Sequence, residues 1–152
     1  MIERGDLLKC RSVQKVTVSC IAVLLLVSLA ISAFAAEMSW SYDAESKTVS
    51  VKGYGMINDA TALTGYLKDA KKIDVLKGVT KTDKNVFSSL GSVEEVVLPD
   101  GFLAIGDNSF HLSRNLKKVT LPDTLESIGK EAFMGCIALE NVVIPKNVSS
   151  IG

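Results

Sequence analysis

The sequence predicts a repeat solenoid, α/β-type or mainly β, built from 23-residue coils. Their short strands stack into a parallel ladder, preceded by an N-terminal β-hairpin cap. Three observations predict it. Val96-Val97-Leu98-Pro99, Val119-Thr120-Leu121-Pro122 and Val142-Val143-Ile144-Pro145 repeat one phrase, with the prolines stepping by 23. Ile105-Gly106, Ile128-Gly129 and Ile151-Gly152 keep that step, as do Phe110 and Phe133. Ahead of them, two alternating stretches flank a polar turn. A fixed period in this range marks a chain of stacked units, none of which buries its apolar face alone.

The first element is a targeting segment, residues 1–35. Lys9, Arg11 and Lys15 precede an apolar run over 16–34, which ends in Ser32-Ala33-Phe34-Ala35-Ala36. A basic start, an apolar stretch and Ala33-x-Ala35 read as a secretory signal peptide, with cleavage between Ala35 and Ala36. The competing reading is an uncleaved signal anchor, since the run approaches the ~20 apolar residues of a membrane span. On either reading the remainder is exported, secreted or at the cell surface, and touches membrane only through this segment. Cys10 and Cys20 fall here, leaving Cys136 alone in the exported part, where it has no internal disulfide partner. A small buried apolar residue is the plain reading of such a cysteine.

Charge sets limits on partners. The chain carries 17 basic and 17 acidic residues. Arg4, Lys9, Arg11, Lys15, Glu3 and Asp6 belong to the leader, so 13 basic and 15 acidic residues remain. Lys68, Lys71, Lys72, Lys77, Lys81 and Lys84 are interleaved with Asp69, Asp74 and Asp83, a solvated mixed surface. Phosphate binding depends on a basic patch, and none is visible, which argues against nucleic acid.

Residues 36–71 form the cap and linker. Trp40 and Tyr42 share one face of a strand, and Val49 and Val51 share one face of its partner. Gly53 and Gly55 end the second strand. An aromatic hairpin over 37–57 covers the exposed side of the first coil. Residues 58–67 carry the least signal, and within them Thr61 to Leu67 read as a short helix or turn. Residues 72–152 form the repeats. Ile73, Val75 and Phe87 sit one period before Val96, Leu98 and Phe110, but Thr82-Asp83 stands where Ile-Gly is due. The first coil is therefore degenerate, as terminal repeats often are.

Within a full coil, Val119 and Leu121 lie two apart, as one buried face of a short strand requires. Pro122 ends that strand because it has no N–H for the ladder. Leu125 and Ile128 point inward, Gly129 makes the corner, and residues 130–134 read as a turn of helix. Ala132, Phe133, Cys136 and Leu139 face in.

These residues carry a family resemblance. Leu116-x-x-Val119-x-Leu121-Pro122, Ile128-Gly129 and Ala132-Phe133-x-x-Cys136 resemble the unit of bacterial BspA-like leucine-rich repeat proteins. The preceding coil departs mildly, with Ser109 for Ala and Ser113 for Cys. The hairpin is similar to the segment that often precedes such repeats. The resemblance implies a secreted or surface-exposed bacterial protein that binds host or other macromolecules. It transfers no binding residue, because the recurrent motif is structural.

Chemistry has few footholds. His111 and Cys136 are the single histidine and the single exported cysteine, which raises the question of a Cys/His nucleophile pair. His111 follows the inward Phe110 and should point outward, whereas Cys136 should point inward. One His and one Cys give no zinc-site spacing. Glu94-Glu95 sits beside a strand start as a solvated edge. Leu121-Pro122-Asp123-Thr124-Leu125 approaches a sortase signal but ends in Leu and lies inside a repeat. Asn147-Val148-Ser149 fits a glycosylation sequon. No catalytic, metal or cofactor residues are assigned.

The expected interaction surface is the outward face of the strand ladder, with rows Glu95, Lys118, Asn141 and Val97, Thr120, Val143. Extended faces of this kind serve solenoids in binding. A solvated face whose charges merely pair along the ladder is the competing reading. The last coil lacks its Ala-Phe-x-x-Cys element and should expose Val142, Ile144, Val148 and Ile151. That edge fits a fragment of a longer repeat protein, or end-to-end self-association. The sequence thus points to a non-catalytic protein-interaction or adhesion module, with a self-assembling surface element as the alternative and an exported enzyme using Cys136 as a third reading.

Overall fold

The computed structural model describes residues 38–61 and 65–152. The expected signal segment 1–35 and the Ala35–Ala36 junction lie outside the described residues.

The hairpin forms as its alternation requires. Strand β1 (Ser39–Asp43) pairs antiparallel with β2 (Thr48–Lys52), placing Trp40 opposite Val51 and Tyr42 opposite Val49. Asp43 Oδ1 closes the turn by accepting the Glu45 and Ser46 N–H groups at 2.9 and 3.2 Å. Strand β2 does more than complete a cap. It pairs in parallel with the strand of the next coil, Val49 beside Ile73 and Val51 beside Val75. It is the first rung of the ladder, and β1 alone lies outside it. The step from Val49 to Ile73 is 24, one more than the repeat, so a count in 23s passes over it.

Eight further strands follow: β3 (Gly55–Ile57), β4 (Lys72–Val75), β5 (Val79–Thr82), β6 (Glu95–Val97), β7 (Ala104–Ile105), β8 (Lys118–Thr120), β9 (Ser127–Ile128) and β10 (Ser150–Ile151). They divide between two sheets, ordered β1-β2-β4-β6-β8 and β10-β9-β7-β5-β3. From β2 to β9 each coil gives one strand to each sheet, and every pair except β1–β2 is parallel. The fold is a mainly-β solenoid with parallel ladders.

The core lies between the sheets and is made of columns. Val49, Ile73, Val96 and Val119 are buried in register, as the two-residue strand alternation requires. Phe87, Phe110 and Phe133 stack with centroids 5.5 and 5.2 Å apart. Such ring pairs contribute about 0.5–1.5 kcal/mol each beyond their burial. Thr82 takes the isoleucine place in the degenerate coil and is just as buried as Ile105 and Ile128. Its hydroxyl is satisfied: Oγ1 accepts the Gly106 N–H at 2.9 Å and lies 3.0 Å from Ser109 Oγ, which donates to the Asp83 carbonyl at 3.0 Å.

Two expectations are corrected. Residues 130–134 do not make a turn of helix, and there is no α-helix among the described residues. The segment is a series of tight turns with left-handed residues at Glu131 (φ 54°) and Gly135 (φ 76°). The same places one coil earlier are Asn108 and Leu112, and before that Asn85 and Ser89, all with positive φ. A left-handed residue every fourth position stops a right-handed helix. Alternate amides of the preceding coil turn instead to this segment's carbonyls: Asn108 N–H donates to Lys130 O at 2.9 Å, Phe110 to Ala132 O at 2.9 Å and Leu112 to Met134 O at 2.8 Å. The second correction is at 141–145, where the phrase Val142-Val143-Ile144-Pro145 forms no strand. The first sheet ends at β8.

The corner glycines are there for clearance. A Cβ on Gly106 would lie 2.6 Å from the Asp83 carbonyl oxygen, and one on Gly129 would lie 2.5 Å from the Asp107 nitrogen. Each coil turns directly against the backbone of the one before, and no side chain fits between them.

Candidate interaction face

The outward side of β2, β4, β6 and β8 carries side chains in rows, because in-register parallel strands place every second residue on the same side. Ladder pairing sets Thr48, Lys72, Glu95 and Lys118 in one row and Ser50, Asp74, Val97 and Thr120 in the next. Four of the six residues anticipated for this face are therefore in place. Asn141 and Val143 are not on a strand. Both are exposed, Val143 at 84%. Lys72, Asp74, Thr48 and Ser50 extend the face in the opposite direction. The 23-residue step already pointed to Lys72 and Asp74; Thr48 and Ser50 were hidden by the 24-residue first step.

The electrostatics are organised by coil. Glu95 pairs with Lys118 at 3.1 Å. Beside them a second column runs through the residues just before each strand. Glu94 lies 2.7 Å from Lys71 and 2.7 Å from Lys117, the three spaced by 23. Hydrogen bonds from Lys117 and then Lys71 hold the Glu94 carboxyl down at about 2. The Lys117 ammonium is correspondingly raised, first by its bond to Glu94, with Glu140 adding a weaker attraction. The signal for this column, Lys71-Glu94-Lys117-Glu140, was present in the periodic sequence and signifies alternating charge along the stack.

The other sequence candidates do not converge on this face or on each other. The Cys136 thiol donates to the Phe110 carbonyl at 3.1 Å, and burial pushes its pKa up, the reverse of what a nucleophilic thiolate needs. His111 is half-buried, and its carbonyl accepts the Ser89 N–H at 2.7 Å. Leu121-Pro122-Asp123-Thr124-Leu125 is a core turn, with Leu125 fully buried and its N–H donating to Pro122 O at 3.0 Å. Asn147 Nδ2 is engaged with Asp123 O at 2.6 Å. A groove of about 540 Å³ lies over Leu103, Thr124, Glu126, Asn147 and Ser149. Its Thr124, Asn147 and Ser149 polar groups are spent on coil-to-coil hydrogen bonds, which leaves the groove little to recognise a ligand with. Among the described residues no cluster of three or more potential metal ligands occurs, and no helix is long and apolar enough to cross a membrane.

Known structures share this architecture. A leucine-rich repeat protein of T. pallidum is similar with a TM-score of 0.56 at 20% identity, over 76% of this chain and 50% of that one. One from Eubacterium ventriosum gives 0.54 at 19% identity, over 77% and 38% of the two chains. One from Bacteroides capillosus gives 0.55 at 21%, over 76% and 83%. The chain thus spans half or less of the length of the first two. No curated protein matches it. The family model described as "BspA type Leucine rich repeat region" matches residues 65–152, in six copies. Its coils, with their Phe stack, their glycine corners and their proline-ended strands, place this chain in the BspA-type leucine-rich repeat family.

Proposed function

We propose that this is an exported, surface-displayed and non-catalytic recognition module that binds a protein partner across the outward face of β2, β4, β6 and β8. The observation that supports it is the row geometry. Ladder register turns Lys72, Glu95 and Lys118, with Asp74, Val97 and Thr120, into a continuous array of side chains on a rigid sheet. Recognition by such a face needs no pocket: side chains at fixed spacing meet a complementary partner, and charge sets specificity and encounter rate more than affinity. Export is supported by the basic and apolar leader ending at Ala33-x-Ala35.

The reading is tested by titrating the labelled, exported protein onto intact bacterial and host cells and onto proteins extracted from their surfaces. Saturable retention that weakens about tenfold in a Glu95→Ala, Lys118→Ala, Thr120→Ala variant, a loss of about 1.4 kcal/mol, supports it. Equal retention of both forms refutes it for this face. The N-terminal residue of exported material, read by mass spectrometry, checks the processing site: a start at Ala36 is expected, and an intact Met1 in the membrane fraction counts against it.

A further inference from the structure

The charges on the ladder do more than alternate within each column. The two columns alternate together. Lys71 and Lys72 make a positive band, Glu94 and Glu95 a negative one, and Lys117 and Lys118 a positive one. Glu140, 23 residues after Lys117 and beyond the last strand of this sheet, adds a negative charge that attracts Lys117 from the next place. The first three bands, on β4, β6 and β8, are one strand apart, about 4.8 Å. An even series of alternating bands has a special property. Reversed end for end, it presents the opposite sign at every place.

We infer that this face is self-complementary and that a second copy of the chain docks on it about a twofold axis lying in the face, parallel to the strands and between β6 and β8. This rests on the reading of the outward face as an interaction surface and names its partner. Under that operator the Glu94–Glu95 band faces the Lys117–Lys118 band of the partner subunit, and the reverse contact is made by symmetry. The Lys71–Lys72 band falls beyond β8 of the partner subunit, on the side of Glu140 of the partner subunit. Val97 and Thr120 meet near the axis, a neutral pair that sets no charge against its like. Such an interface is isologous, the commonest kind in soluble homo-oligomers.

The side chains have capacity for it. Glu94 is bonded within the chain to Lys71 and Lys117, yet those lysine side chains remain 50% and 60% exposed, and Lys118 remains 66% exposed. An ammonium group carries three donors, so one internal bond does not exhaust it. The face extends only about 20 Å along the ladder at that strand spacing, which places the pair in the weak class of interface. Attraction through exposed charges is screened within about 10 Å at 0.1 M salt. The dimer therefore belongs to low ionic strength or to the high local concentration of a displayed surface.

Sedimentation equilibrium of the exported protein, with circular dichroism as a check on folding, tests this. At about 10 mM salt, where screening reaches only beyond about 30 Å, the mass rises with concentration to twice the monomer and no further. At 0.5 M salt it returns to the monomer. Reversing one band, Glu94→Lys with Glu95→Lys, sets like charges against each other across the axis and abolishes the dimer. Adding Lys117→Glu and Lys118→Glu restores complementarity between copies, although it leaves like charges adjacent within each copy. Recovery of the dimer in the fourfold variant, with a lower unfolding temperature than the wild type, is the expected result. A folded fourfold variant that stays monomeric overturns the inference, as does a wild type that is monomeric at low salt. Growth beyond the dimer that ignores these substitutions also overturns it, and moves self-association to the exposed Val143, Ile144 and Ile151. A monomeric wild type that still binds cells through Glu95, Lys118 and Thr120 removes the self-pairing and leaves the recognition face standing.

Discussion

The Cys136 thiol donates to the Phe110 carbonyl at 3.1 Å, just as the Ser113 hydroxyl one coil earlier donates to the Phe87 carbonyl at 3.2 Å. Cysteine and serine occupy the same place because the place needs a small donor over the backbone of the stacked phenylalanine. Cys136→Ser should therefore leave thermal unfolding nearly unchanged. Cys136→Val removes the donor and should cost about 1 kcal/mol, the net value of an ordinary hydrogen bond. Equal losses in the two variants would contradict this role. Burial raises the thiol pKa, so labelling of folded protein by a thiol reagent at pH 7 should lag well behind that of denatured protein.

Thr82 and Ser109 form a relay. Because Ser109 Oγ spends its hydrogen on Asp83 O, the Thr82 hydroxyl must donate to Ser109 while accepting from Gly106. Thr82→Val is close to the shape of the isoleucine column but strands two polar groups, at a cost of about 1–3 kcal/mol. Combining it with Ser109→Ala, the residue type of the next coil at Ala132, should cost less than the two single changes added together. A double-mutant cycle by urea unfolding measures the coupling, and simple additivity would show that no relay exists.

Gly129→Ala should lower the unfolding temperature by about 5 °C or more, the effect of roughly 1–3 kcal/mol of overpacking in a domain of this size. Its Cβ would fall 2.5 Å from the Asp107 nitrogen and 2.6 Å from Asp107 Oδ1, which already accepts the Lys130 N–H at 2.8 Å. Gly91→Ala is the control. It meets nothing within 4 Å and has no positive φ, so it should be neutral or slightly stabilising.

The Glu94 triad should be visible in acid. Its carboxyl is depressed to about 2 from the ordinary 4.5, so its stabilisation is complete above the ordinary value and is lost as pH falls toward 2. Lys117, raised in the fold, behaves oppositely: its share persists below the ordinary lysine range and is lost as pH rises through the raised value. The gap in unfolding temperature between wild type and Glu94→Gln should be widest near neutrality and should close below pH 4. A gap that stays constant down to pH 2.5 would mean the triad contributes nothing through charge.

The repeat was legible because burial imposes it. Val96, Val119, Phe110 and Ile128 recur at one spacing since each must meet its counterpart in the next coil. Where coil geometry departs from 23, legibility failed. Val49 reads as part of a cap, because the step to Ile73 is 24. The turn at 130–134 looks helical in sequence because Lys130-Glu131-Ala132-Phe133-Met134 is rich in helix formers. Local propensity is weak beside the Lys130, Ala132 and Met134 carbonyls being taken by amides of the preceding coil. The face itself was partly legible: Glu95 and Lys118 follow from strand alternation, whereas Asn141 and Val143 followed from the phrase alone and gain no strand. The charge column stood in the sequence, but its meaning depends on distances, and Glu94 resembles any other solvated carboxylate until both lysines are seen 2.7 Å away.

The left-handed positions 85, 108 and 131, with 89, 112 and 135, hold the coil to one length. A single inserted or deleted residue between them would shift both columns, unstack the phenylalanines and move every corner glycine off the backbone it clears. Such a chain gains or loses material most easily in whole coils. The exception lies at its beginning, where the pairing of β3 with β5 already slips by one residue between Gly55 and Met56. There the architecture absorbs an odd residue, and there a graft of foreign sequence would do the least harm.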